Sequence, residues 1–212
     1  MTWSRVAAAA VSKGASFQRF RVERLEPLSG GHIRLTCREL VVDARAVVLA
    51  AGAWSRSLAR QAGENVPLDT ERGYHIEFAM EACPIKRPVS PVDLGFYVTP
   101  MEGRLRVAGT VELGGLSAPP NADRIAVLER GVRKLFPKLG PARTQWLGFR
   151  PSLPDSLPVI GRGRRQPNII FAFGHGHLGM TLAGVTSRIV ASIIDNRDDG
   201  LNLSAFRPDR FG

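Results

Sequence analysis

Ala46-Val47-Val48-Leu49-Ala50-Ala51-Gly52 is a continuous apolar run that ends in glycine. It does not alternate, so it does not read as a strand with one wet face. A strand that is apolar throughout is buried on both faces, which points to a parallel sheet covered by helices. The run passes into a helical stretch, Trp54 to Gln61, closed by Gly63. Such a strand–glycine–helix turn suits close approach of a ligand at the carboxyl end of the strand. Asn168-Ile169-Ile170-Phe171-Ala172-Phe173-Gly174 repeats the pattern, and a long helix is predicted from about Leu178 to Asp195.

The stretches around these two runs read differently. Residues 5–14 are Ala-rich and helix-prone. From Phe17 to Val48 the pattern is strand-like. Phe17, Phe20, Val22 and Leu25 open it, Ser29-Gly30-Gly31 signals a turn, and Ile33, Leu35 and Cys37 alternate with polar residues. Leu40 to Ala44 gives one more short strand, so a small antiparallel meander is expected. Residues 66–120 also read as strands. Tyr74, Ile76 and Phe78 alternate, as do Phe96 and Val98, and Glu102-Gly103 turns the chain into Leu105–Gly109. Ala122 to Phe136 is a predicted helix with Ile125, Leu128, Val132, Leu135 and Phe136 at helical spacing, Asn121 as N-cap and Pro137 as its stop. Trp146 to Pro151 is extended. The expected fold therefore combines α/β and α+β character. An α/β part in two pieces, residues 1–65 and 146–212, has a mostly antiparallel sheet, residues 66–145, inserted between them.

Composition bounds the function. The chain has 212 residues, 44% of them hydrophobic, enough for a globular core and against disorder. Its apolar runs break well before the ~20 residues a membrane span needs. Val6 to Val11 is too short and too weakly flanked for a signal peptide. Two cysteines, Cys37 and Cys83, exclude a disulfide scaffold and a four-cysteine zinc site, and read as reduced, structural residues of a cytoplasmic protein. Twenty-nine basic residues against 19 acidic give +10, a balance that raises the prior for a polyanionic partner. The distribution lowers it again. Only Arg162, Arg164 and Arg165 cluster, and no basic helix, Cys/His finger or aromatic RNA-binding motif accompanies them. A solvated arginine-rich surface is expected, and nucleic acid is not.

Gly174-His175-Gly176-His177-Leu178-Gly179 fits G-x-G-x-x-G between a strand and a helix. Glycine permits the tight turn, and a helix start favours an anion. A dinucleotide fold needs a second parallel strand ending in an acid about 20 residues on. Asp195 sits near that distance but at the end of a helix. The loop therefore either binds a ligand without opening a dinucleotide domain, or is simply a tight strand–helix junction. His175 and His177 have no nearby cysteine or acid, so loop positioning or a polar contact to a cofactor is expected rather than metal.

Four stretches resemble a known family: Val47–Ser55; Pro67-Leu68 with Glu71-Arg72-Gly73-Tyr74-His75; Gly148-Phe149-Arg150-Pro151 through Gly161; and Phe173 through Thr181. In order and spacing they resemble the carboxyl-terminal half of the FAD-dependent D-amino-acid dehydrogenases and their glycine-oxidase and sarcosine-oxidase relatives. Phe206–Phe211 is similar to the family's usual ending. The resemblance implies FAD as cofactor, an amino acid as substrate and hydride transfer from its α-carbon to the flavin. It implies that residues 1–65 and 146–212 belong to a partial FAD-binding domain and 66–145 to a substrate domain. Arg150 matches the position that holds the substrate carboxylate, where the planar fork of arginine suits two oxygens. Tyr97, with Tyr74 and His75, falls in the unit that roofs the substrate, and Val107–Glu112 reads as structural. Leu178, Gly179, Met180 and Thr181 fall beside the flavin ring with Gly174, His175, Gly176 and His177, and Ala51 and Gly52 near the cofactor's phosphate and ribose.

By the same resemblance, the family's pyrophosphate-binding G-x-G-x-x-G precedes the point where Met1 falls. A truncated or split product, a wrongly assigned start, or a subunit completed by another chain would each account for this. The expectation is weak FAD binding and little activity for the chain alone. The rival expectation is a non-catalytic remnant or interaction module. The acceptor, quinone or oxygen, stays open, and the positive charge would suit peripheral contact with the inner face of a membrane.

Overall fold

The computed structural model describes residues 3–198 and 200–212. Helix α1 (Trp3–Val11) leads into β1 (Val22–Pro27), β2 (Ile33–Cys37) and β3 (Val41–Ala44), an antiparallel meander in that order. The first strand starts later than the sequence pattern suggests. Phe17 and Phe20 precede it, and both are exposed. Their spacing carries no strand because residues 15–21 have no partner strand to bury them.

β4 (Val47–Leu49) pairs parallel with β10 (Ile169–Phe173), which pairs antiparallel with β9 (Val159–Arg162). The parallel pairing joins the two apolar runs, each of which the sequence pattern marks as a buried-type strand without saying that they are partners. The two-sided burial holds only for β10, whose Ile169, Ile170, Phe171 and Phe173 are almost fully buried. β4 lies at the edge of this sheet among the described residues, and Val48 is 40% exposed. Helix α2 (Ser55–Gln61) packs on β1 and β4, and α4 (Gly179–Ile194) on β9 and β10.

The third sheet is antiparallel, in the order β6 (Phe96–Met101), β7 (Arg104–Leu113), β5 (Asp69–Ala79), β8 (Thr144–Ser152). Alternation decides its faces. Tyr74, Ile76, Phe78, Phe96, Val98, Leu105 and Val107 form a core with Ile125, Leu128 and Val132 of α3 (Ala122–Leu135). The Asn121 side chain accepts the Asp123 N–H at 2.9 Å and caps that helix. Leu135 is exposed, so the apolar stripe of α3 ends one turn early.

The Arg162 guanidinium is engaged within the chain, while Arg164 and Arg165 are exposed. Arg162 donates to the carbonyls of Pro167 and Ile193 and to Asn196 Oδ1, closing the carboxyl end of α4. Arg165 packs against Gly63, and the buried Glu64 carboxylate accepts the Arg164 N–H at 2.6 Å. No helix among the described residues is long and apolar enough to cross a membrane.

Candidate functional site

Arg150 and the glycine loop are tied together by backbone. The Gly176 N–H donates to the Pro151 carbonyl at 2.8 Å, which joins the end of β8 to the loop between β10 and α4. Gly174 and Gly176 have φ of +87° and +54°, and a Cβ on Gly174 would stand 2.5 Å from Leu153 Cδ1. Both positions need glycine. Arg210 braces the segment that follows β8. It pairs with Asp155 at 2.8 Å and donates to the Leu157 carbonyl, and the guanidinium holds the Asp155 carboxyl below the usual carboxylate range.

A hollow of about 120 Å³ lies at this junction, lined among others by Glu71, Ser152, Gly174, His175, Gly176 and His177. Helix α4 starts there. It has no side-chain cap and no carboxylate in its first turn, so its free N–H groups and its positive end face outward. Leu178 and Met180 are exposed beside that helix start. His175 is turned inward, with Nε2 3.0 Å from Thr186 Oγ1, and its burial lowers its pKa. Its ring ties the loop to α4, while His177 is exposed. No strand follows α4 among the described residues, so the loop does not open a βαβ unit. Ala51 and Gly52 follow β4, the parallel neighbour of β10, and so share the carboxyl end of that sheet with Gly174. Ala51 also lines an apolar groove of about 470 Å³ with Val22, Leu35, Val47 and Val48.

The face of the third sheet turned away from α3 is the other half of the site. Cross-strand register places Tyr97, Ala108, His75 and Trp146 in one row across it. Arg150 lies on the same face, opposite Glu71. Tyr97 is 62% exposed and available to a ligand. Tyr74 points the other way. Its hydroxyl bonds Glu112, which also pairs with Arg72 at 3.3 Å and accepts from Asn121, so Tyr74 belongs to a structural network rather than to the roof. Arg150 Nη1 is buried and has no hydrogen-bond partner. A buried donor left unpaired is costly, and an anion would satisfy it.

Sequence reading placed His75 in this unit but gave no role to Trp146, Gly73 or Gly148. His75 stacks on Trp146, ring centroids 4.8 Å apart, with Arg106 Nη2 3.2 Å from its Nδ1. Gly73 and Gly148 face each other across β5 and β8, and the side chains of Arg150 and Trp146 lie over them. A glycine within a strand marks such a close approach, and that was the available signal.

Residues 3–193 match the FAD dependent oxidoreductase (DAO) family, and the chain belongs to it. It is 37% identical over 208 residues to a D-amino-acid oxidase of Bradyrhizobium diazoefficiens, covering 95% of this chain and 49% of that protein. It is 33% identical over 175 residues to a D-amino acid dehydrogenase of the same organism, covering 81% of this chain and 41% of that one. The chain thus spans about half the length of the curated relatives it matches. Glycine oxidase from Geobacillus kaustophilus shares the fold, with a TM-score of 0.88 and 23% identity over 98% of this chain and 56% of that structure. FAD is the cofactor of the family. The uncapped start of α4 fits the electron-rich edge of a flavin ring, and the exposed Leu178 and Met180 fit its apolar surface.

Proposed function

We propose that the chain provides the substrate face and the flavin-facing helix of an amino-acid oxidoreductase. The observation that carries this is the buried, unpaired Nη1 of Arg150, tied by backbone to an uncapped helix start. Arg150 takes the substrate carboxylate. The N–H groups of Gly179, Met180 and Thr181 stabilise negative charge on the ring edge, while the Leu178 N–H is held by the His175 carbonyl. Bound FAD supplies the hydride acceptor. Tyr97 and the Trp146–His75 stack close over the substrate and limit water. Ala51 and Gly52 sit where the non-ring part of the cofactor passes.

The open edge of β4, with Val48 exposed beside an apolar groove, supports pairing with further strands of a flavin domain, from the same polypeptide or another. The test is a visible absorption spectrum of the chain with excess FAD, before and after adding D-amino acids without oxygen. Bleaching of the flavin band, abolished by Arg150→Met, is the expected result. An FAD spectrum that no D-amino acid changes overturns the reading.

A further inference from the structure

Arg150 and Glu71 are direct cross-strand neighbours on β8 and β5, on the sheet face turned away from α3. Opposite charges so placed ordinarily meet as an ion pair. Here they do not. The guanidinium folds over Gly73, in the space that a side chain at that position would fill. Arg150 Nη1 stays buried and unpaired among the described residues, and the Glu71 carboxylate makes no hydrogen bond or ion pair with any of them. Glu71 instead lines the hollow shared with Gly174, His175, Gly176 and His177. The site thus holds one fixed cation and one fixed anion, adjacent and not neutralising each other. Same-face neighbours along a strand are about 7 Å apart, which leaves room for a small zwitterion between the guanidinium over Gly73 and the Glu71 carboxylate.

We infer that Glu71 is the residue that binds the substrate's ammonium group, so that Arg150 and Glu71 together recognise an α-amino acid by both of its charges. This rests on the reading of Arg150 as the carboxylate site and adds the second contact. It has a chemical consequence. A simple carboxylic acid satisfies Arg150 but leaves Glu71 unpaired, so the pocket selects amino acids over the keto acids formed from them. A carboxylate also disfavours a second acid group at the ammonium position.

The test is calorimetric titration of the FAD-supplemented chain with D-alanine and with propionate, which lacks the amine. Wild type should bind D-alanine about tenfold more tightly than propionate, the share of a charge-assisted hydrogen bond. Glu71→Gln should bring D-alanine to within about twofold of propionate, with propionate bound at least as tightly as by wild type, which also reports that the variant is folded. Glu71→Asp should recover part of the preference. Arg150→Met should lose both ligands. If Glu71→Gln keeps the wild-type preference, Glu71 is not the ammonium site, while the Arg150 reading stands. If propionate binding survives Arg150→Met, or neither ligand binds wild type, the carboxylate site itself falls and the inference with it.

Discussion

Gly73 leaves vacant the space that the guanidinium of Arg150 occupies. A Cβ built on Gly73 would stand 2.1 Å from Nη1 and 2.3 Å from Cζ. The obstructed group is the far end of a flexible side chain, so Gly73→Ala should move Arg150 rather than unfold the sheet. The expected outcome is a near-native melting temperature with carboxylate affinity reduced by roughly ten- to hundredfold. Gly148→Ala is the control. It displaces Trp146, whose Cη2 lies 2.0 Å from the corresponding position, and should weaken propionate binding clearly less than Gly73→Ala does. Equal losses in the two variants would mean that general disturbance of the face, not Arg150, is responsible.

Glu112 offers a different test because it works behind the sheet. The Tyr74 hydroxyl is the main cause of its lowered pKa, and Asn121 and Arg72 add to it. A carboxylate with a depressed folded pKa stabilises the fold above its unfolded pKa, and that contribution is lost as pH falls through the folded value. Glu112→Gln should therefore melt below wild type at pH 7, and the gap should narrow below about pH 4.3. Melting curves from pH 7 to 3 decide the point. A constant gap would show that Glu112 acts by packing alone.

The legible parts of this fold are those set by local pattern. The 3.6-residue stripe marks α3, Asn121 its cap, and the apolar runs mark β4 and β10 as strands of a parallel sheet, though not as neighbours. Whether such a run is central or at an edge depends on its partner strands, which is why Val48 is exposed where burial was expected. Arg150 is singled out by its motif, which does not reveal its buried, unpaired Nη1. Glu71, Gly73 and Trp146 were not assigned roles, because their meaning arises from cross-strand register between β5 and β8. Period-2 alternation tells which face a side chain takes, not which distant residue stands opposite it. Tyr74 and His75 illustrate this. Adjacent in sequence, they serve opposite faces, one in the α3 core and one on the open face.

The α3 core should be the most sensitive part of the four-stranded sheet. Leu128 is fully buried against the strands, and Leu128→Ala should cost about 2–5 kcal/mol. Asn121→Ala removes the cap on the Asp123 N–H and should cost about 1 kcal/mol. Denaturant unfolding monitored by far-UV circular dichroism separates the two. A cap variant as unstable as the core variant would mean that Asn121 matters chiefly through Glu112, whose carboxylate accepts from the Asn121 side-chain amide at 3.3 Å.

The loop before α4 carries its own pH signature. Burial lowers the pKa of His175, and burial followed by the charge of Arg106 lowers that of His75. A histidine with a depressed folded pKa stabilises the fold above about pH 6.5, and that contribution is lost as pH falls through the folded value. The chain should therefore lose thermal stability between pH 7 and pH 5, before the carboxylates protonate. His175→Gln should reduce that slope and leave the share due to His75. Thr186→Val removes the 3.0 Å partner of His175 Nε2 and should speed amide hydrogen exchange in residues 174–178 at pH 7, with little change at the α3 core. An unchanged slope in His175→Gln would mean that the ring is already solvated in solution. Unchanged exchange in Thr186→Val would mean that the Gly176–Pro151 backbone bond alone holds the loop in place.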